Sequence, residues 1–193
     1  MKQNIEWIKK QIDISSEVIK QMENICSEEI LSSSKIIIES LNMGNKIFWC
    51  GNGGSAGQAQ HLSAELVCGL RTHKRSALAS ISLTTDTSVI SAWSNDVNFE
   101  SIFSRQIEAL GNKGDILVAL STSGKSKNII EAIKIAHNLS VKTIGLCGIQ
   151  SSEVKNLCDV NISIPSNDTQ RIQEGHILAG HLICELIENH FID

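Results

Sequence analysis

Five short apolar runs, separated by stretches with helical periodicity, constrain this chain more than any other feature. They fall at residues 46–50 (KIFWC), 78–83 (LASISL), 115–120 (DILVAL), 142–147 (KTIGLC) and 159–165 (DVNISIP). Between and after them, apolar spacing predicts helices over about 55–70, 101–110, 126–138 and 169–190. Apolar runs alternating with helices imply βαβ units, hence an α/β fold with a parallel five-stranded sheet flanked by helices on both faces, a three-layer sandwich. Residues 3–42 read as helix. Ile5, Ile8 and Ile12, then Ile19, Met22 and Ile25, recur at helical spacing, and Asn42 and Gly44 supply a stop before Ile47. We therefore read 1–193 as a single domain with 1–42 as an N-terminal helical extension. The apolar surface of that extension must pack on the sheet or on a partner subunit.

Composition narrows the function. With 41% hydrophobic residues the chain can build a core, and a formal net charge of -4 argues against a nucleic-acid partner. An anionic small molecule is still compatible, because backbone N–H groups can hold phosphate without bulk positive charge. No stretch approaches the ~20 apolar residues of a membrane span, and the charged N-terminus lacks the apolar run of a signal peptide. A cytoplasmic protein is expected. The six cysteines (26, 50, 68, 147, 158 and 184) form no CxxC pair and are expected to be buried free thiols.

In open parallel sheets ligands bind beyond the carboxyl ends of the strands, so the loops after strands carry the chemistry. The first run leads into Gly51-Asn52-Gly53-Gly54-Ser55. Its three glycines allow a tight turn and close backbone approach to a ligand, and Ser55 can cap the next helix. No Lys-Ser/Thr follows at P-loop spacing. The third run leads into Ser121-Thr122-Ser123-Gly124-Lys125-Ser126, four hydroxyls where a helix begins. One serine would suffice as a cap, whereas four hydroxyls beside unpaired helix N–H groups suit phosphate. His61 and Glu65 share a helix face at i and i+4, as a metal pair or as a base with its neighbour. A carboxylate desolvated on such a helix gains basicity. The last helix is apolar apart from Gln173, Glu174, His176 and His181, and a lone histidine there reads first as a core residue.

As a set, these motifs resemble a known family. Residues 51–61 (GNGGSAGQAQH), Glu65, 83–87 (LTTDT), Asn95-Asp96, 103–106 (FSRQ), 121–126 (STSGKS), 171–174 (RIQE), His176 and His181 are similar to bacterial phosphoheptose isomerase, within the larger SIS (sugar isomerase) domain group. The resemblance covers nearly the whole chain. It implies conversion of sedoheptulose 7-phosphate to D-glycero-D-manno-heptose 7-phosphate, an early step toward bacterial heptose for lipopolysaccharide or capsule. It implies a homotetramer with active sites shared between subunits, and Zn²⁺ held by His61, Glu65, Gln173 and His181. Substrate contacts carried over are Asn52, Gly53, Gly54, Ser55, Glu65, Asn95, Asp96, Ser121, Thr122, Ser123, Ser126 and Gln173. The chain departs from many members at Gln58, where Asp is common, and at Ser94, where Gly is. The stretch between Glu65 and Leu83 carries one extra residue, so the family's arginine is not assigned to Arg71.

An aldose–ketose isomerase needs a base over the carbon, an acid at the oxygen and stabilisation of developing negative charge. The resemblance gives Glu65 as the base and His181 as the opposing acid/base. Two alternatives are a non-catalytic SIS protein binding the replication initiator DnaA and an isomerase of another sugar phosphate. The first branch, as we read it, lacks the glutamate and the last histidine that this chain keeps. Gln173 and His181 lie eight residues apart, about 12 Å along one helix and about 80° around it. One ion could hardly take both from the same continuous helix. Either they come from different chains or only one is a ligand in a given site, and Glu65 and His181 are expected to meet across subunits.

Overall fold

The computed structural model describes residues 2–151 and 153–192. Two helices, α1 (Lys2–Ile25) and α2 (Ser27–Asn42), precede the sheet. The order continues β1 (Ile47–Gly51), α3 (Gly54–Cys68), β2 (Ser80–Ser82), α4 (Thr87–Asp96), a 3-10 turn at Phe99–Ser101, α5 (Ile102–Leu110) and β3 (Ile116–Ser121). It ends α6 (Lys127–Asn138), β4 (Lys142–Gly148), α7 (Glu153–Leu157), β5 (Val160–Ile164) and α8 (Thr169–His190). The five strands are parallel in the order β2-β1-β3-β4-β5.

Period-2 alternation along the strands builds the three layers. Ile47 and Trp49 of β1 face a core with Leu62 and Leu66 of α3, Ile37 of α2 and Ile183 and Ile187 of α8. Phe48 and Cys50 face the opposite core, with Phe103 and Ile107 of α5 and Ile129 and Ile133 of α6. Because both faces of β1 and β3 are covered, these strands are buried at every position.

The single helix expected over 3–42 is two. The break falls at Cys26, whose buried thiol donates to the Ser163 carbonyl at 3.4 Å, so the chain bends onto β5 there. The expected strand at 78–83 shortens to three residues because β2 is an edge strand, paired only with β1. α4 and the short α7 were not foreseen. α4 is capped by the Asp86 carboxylate, which accepts from the Val89 N–H at 3.0 Å, yet none of its residues is buried. Four of the cysteines are buried as expected. Cys68, at the exposed end of α3, is not, and Cys158 is only partly buried. No helix among the described residues is long and apolar enough to cross a membrane.

Candidate active site

β2 lies on one side of β1 and β3 on the other, so the strand order reverses between β1 and β3. The carboxyl ends of these two strands are the topological switch point, where the crevice of an open α/β sheet lies. Both loops singled out from the sequence emerge there. In the first, Gly53 sits at φ 55°, a left-handed conformation that favours glycine, as the residue that launches α3. In the second, Gly124 is also left-handed, at φ 62°, and its missing Cβ leaves room for the Ser151 side chain.

The two loops are joined by a pair of amides that the sequence did not reveal. Asn52 and the buried Asn128 exchange reciprocal side-chain hydrogen bonds, each of 2.8 Å. This ties the first glycine loop to the first turn of α6. Both ends of the Asn52 amide are engaged in it, so Asn52 serves here as a strut between loops. The only hint in the sequence was position: Asn128 follows directly on the serine loop.

In the serine loop, the Ser121 and Ser126 hydroxyls lie 3.3 Å apart, and Ser123 Oγ accepts from the Lys125 N–H at 3.2 Å. Ser126 precedes α6 without spending its hydroxyl on a cap. Thr122, Ser123 and Lys125 form one wall of a cleft of about 220 Å³. Ser151, Ser166 and Asn167, from the loops after β4 and β5, form the other. The carboxyl-end rule applies to all three, but only loops dense in glycine or serine drew notice from the sequence alone. This cleft does not include His61, Glu65 or His181.

Those three residues gather elsewhere. His61 and Glu65 stand one turn apart on α3, with His61 Nε2 3.3 Å from Glu65 Oε1. α8 closes on α3 at Gly180, where an added Cβ would strike the Leu62 side chain. The next residue, His181, is thereby set against His61: their Nε2 atoms are 2.8 Å apart and the rings meet edge to face. One donor atom from each residue lies within 4.8 Å of the others. Two imidazole nitrogens facing each other beside a carboxylate need a shared proton or a cation to offset lone-pair repulsion. Two nitrogens and one carboxylate oxygen are a donor set that suits zinc, so these residues fit a metal.

Glu65 and His181 therefore meet within one chain, which corrects the expectation that they pair across subunits. α8 is continuous from Thr169 to His190, and Gln173 lies eight residues before His181 on it. Its amide lies over Gly54, where an added Cβ would sit 2.7 Å from Gln173 Nε2. Gly54 is seven residues before His61, about 10 Å along α3. Gln58 Nε2 donates to the Gln173 carbonyl at 2.7 Å and so fixes this part of α8.

Asn95 and Asp96 lie at the exposed end of α4, with Asn95 Nδ2 donating to Asp96 Oδ1 at 2.8 Å. Ser55 is buried in the first turn of α3. His176 is a core residue, fully buried, and neither ring nitrogen makes a well-formed hydrogen bond among the described residues. Burial pushes its pKa down to about 4, with the nearby Cys147 backbone offsetting part of that effect. Arg71 is turned outward onto Glu185, with two 3.2 Å contacts, in keeping with its omission from the site. Gln58 and Ser94, the two departures noted above, each carry a buried side-chain oxygen without a partner among the described residues.

Residues 10–148 match the profile of the SIS domain. The chain is similar to phosphoheptose isomerase of Aliarcobacter butzleri, at 50% identity over 173 residues, covering 90% of this chain and 91% of the relative. It is similar to phosphoheptose isomerase of Helicobacter pylori strain P12 at 45% identity over 186 residues, 96% of each chain. Among solved structures, phosphoheptose isomerase from Francisella tularensis superposes with a TM-score of 0.93 at 33% identity, covering 96% of this chain and 98% of the other. The Neisseria gonorrhoeae enzyme does so with 0.90 at 38% identity, covering 95% and 98%.

Proposed function

The chain belongs to the SIS-domain family and, within it, to the phosphoheptose isomerases, and from that premise we propose how its residues carry out the reaction. The enzyme interconverts sedoheptulose 7-phosphate and D-glycero-D-manno-heptose 7-phosphate, within heptose biosynthesis. The observation that carries the reading at residue level is the convergence of Glu65 and His181. A carboxylate and an imidazole held together are the base and acid that an enediol reaction needs.

Glu65 takes the proton from the carbon, and His181 moves a proton at the neighbouring oxygens, so that C1 and C2 exchange oxidation states through an enediol. Asp96 and Gln173 hold sugar hydroxyls. Ser121, Thr122, Ser123 and Ser126 anchor the phosphate with the first-turn N–H groups of α6, and binding energy at this remote end positions the reacting carbons. Gly53, Gly54 and Ser55 line the approach along the first loop, with Asn52 behind them as its brace. Zn²⁺ is the metal we assign to His61, Glu65 and His181, with Gln173 a ligand only if a second chain delivers it. Such an ion supplies Lewis-acid polarisation of the substrate carbonyl.

Assembly as a homotetramer is part of this proposal. Ile5, Trp7, Ile8 and Ile12 leave an exposed apolar stretch on α1, and α4 buries none of its residues, which gives both helices surface for partner subunits. A single domain spanning 1–193, with 1–42 as its helical extension, and a cytoplasmic location complete the reading. Met1, Ser152 and Asp193 lie outside the described residues.

A coupled assay across ketose phosphates of five, six and seven carbons tests the substrate. Turnover is expected to be highest with the seven-carbon sugar, and a clear preference for a shorter one would replace it. Ser123→Ala and Ser126→Ala are each expected to weaken binding of the phosphorylated sugar by about 1.5–3 kcal/mol, the worth of a hydrogen bond to a charged group. Titration calorimetry should show little effect of either change on an unphosphorylated sugar, and equal losses for both ligands would remove the phosphate from this loop. Exhaustive chelation is expected to lower activity and bound metal together, with His61→Ala lowering metal content by elemental analysis. Full activity in metal-free protein would reject an essential ion.

A further inference from the structure

Behind the cluster, the far ends of α3 and α8 are locked by a buried charge network that neither the sequence motifs nor the proposed chemistry uses. The side chains of Arg75 and Glu188 are 1% and 0% exposed, and Arg75 Nε donates to Glu188 Oε1 at 3.1 Å. The same carboxylate accepts from the Leu70 N–H at 2.9 Å and the Arg71 N–H at 2.7 Å. Glu188 of α8 thus holds the chain just after α3. Arg75 reaches back with Nη2 to the backbone carbonyl of Glu65 at 2.8 Å, and with Nη1 to the Ser76 carbonyl at 2.9 Å.

The chain of contacts is short and directional. The Glu65 carbonyl, in the last turn of α3, is bonded to Arg75, Arg75 to Glu188, and Glu188 lies seven residues after His181 on the same helix. The Arg75 and Glu188 side chains are themselves almost fully shielded from water, which strengthens the bond between them. Gly180, packed on Leu62, sets how close α3 and α8 come. The Arg75–Glu188 pair ties the Glu65 carbonyl and the segment just after α3 to α8. Apolar groups in their place would leave the Leu70 and Arg71 N–H groups and the Glu65 carbonyl without these partners.

We propose that Arg75 and Glu188 are positioning residues that fix the α3–α8 register and thereby hold Glu65 opposite His181 in the reactive geometry. This rests on the reading of Glu65 and His181 as the reacting pair. Misplacement of reacting groups by about 1 Å can cost roughly a hundredfold in rate. The serine loop, residues 121–126, lies on different elements and makes none of these contacts.

The test is steady-state kinetics of Glu188→Gln and Arg75→Lys, run below each variant's unfolding transition. Glu188→Gln keeps the shape and an acceptor but loses the charge. Arg75→Lys keeps the charge but cannot span Glu188 and the Glu65 carbonyl together, and it serves if Glu188→Gln is too unstable to assay. The expected result is a fall in kcat of tenfold or more with KM for the sugar phosphate within about twofold. The His61 and His181 ring ¹⁵N resonances should shift while the amides of 121–126 stay in place. An unchanged kcat, or a loss expressed as raised KM, overturns the proposal. Glu65→Gln in parallel separates the two readings: near-normal turnover there would sink the base assignment, whereas unchanged kcat in the register variants alone would sink only the positioning role.

Discussion

Glu65→Gln is expected to lower turnover by about three orders of magnitude while leaving sugar-phosphate binding measurable. General acid–base catalysis by one positioned group is worth roughly 10²–10⁴-fold, and an amide of the same shape cannot accept the carbon-bound proton. Binding should survive because the hydroxyls proposed to hold the phosphate belong to the loop after β3, not to α3. A rate assay paired with titration calorimetry decides the point. The carboxylate has two candidate duties, since metal ligation and proton abstraction compete for the same oxygens. Elemental analysis of the variant separates them. Lost turnover with metal retained assigns Glu65 as the base, whereas lost turnover with lost metal assigns it first as a ligand. Turnover near that of the unaltered protein would remove it from the mechanism.

The alternation of apolar runs with helical periodicity made the sheet legible, because strands buried on both faces cannot hide their composition. Phe48, Trp49, Leu117 and Val118 are all fully buried, as strands covered on both faces require. The last helix was legible to the residue because its apolar stripe is long and Asp168 caps it, accepting from the Gln170 N–H at 2.8 Å. α4 was not, since a helix with no buried residue has little apolar stripe to show. The break at Cys26 was hidden for a different reason. α1 and α2 continue nearly the same spacing, helical hydrogen bonds run from Met22 through Cys26 to Ile30, and the Cys26 contact with β5 is tertiary.

Within the site, the glycine and serine loops were legible from composition because few other roles need so many such residues after a strand. The strut from Asn52 to Asn128 and the wall formed by Ser151, Ser166 and Asn167 were not. Each depends on which loops the strand order brings side by side, and β4 and β5 lie next to β3 only once the sheet is assembled. The same limit misdirected the pairing of Glu65 with His181. Helix geometry correctly separates Gln173 from His181 along α8, but it is silent on which of the two turns toward α3's own His61. Gly180 decides that, by letting α8 approach Leu62 closely enough for His181 to meet His61 at 2.8 Å.

That arrangement has a consequence for mixed assemblies. When an inactive Glu65→Gln protein and an inactive His181→Ala protein are unfolded, mixed and refolded together, activity is expected to stay at the level of the separate variants. Every site in the mixture draws both groups from one chain, so each lacks either the carboxylate or the imidazole. Had the two groups met across subunits, random mixing in a symmetric oligomer would restore about a quarter of the sites. A companion mixture tests Gln173, whose amide lies over Gly54 in its own chain. If Gln173 reaches a neighbouring chain's site, a Gln173→Ala protein mixed with Glu65→Gln protein should recover activity, and that recovery also demonstrates subunit exchange. Recovery in the first mixture would overturn the pairing of Glu65 with His181 within one chain. Silence in both, with mixed oligomers demonstrated by differently tagged subunits, would confine Gln173 to its own chain and remove it from the metal site.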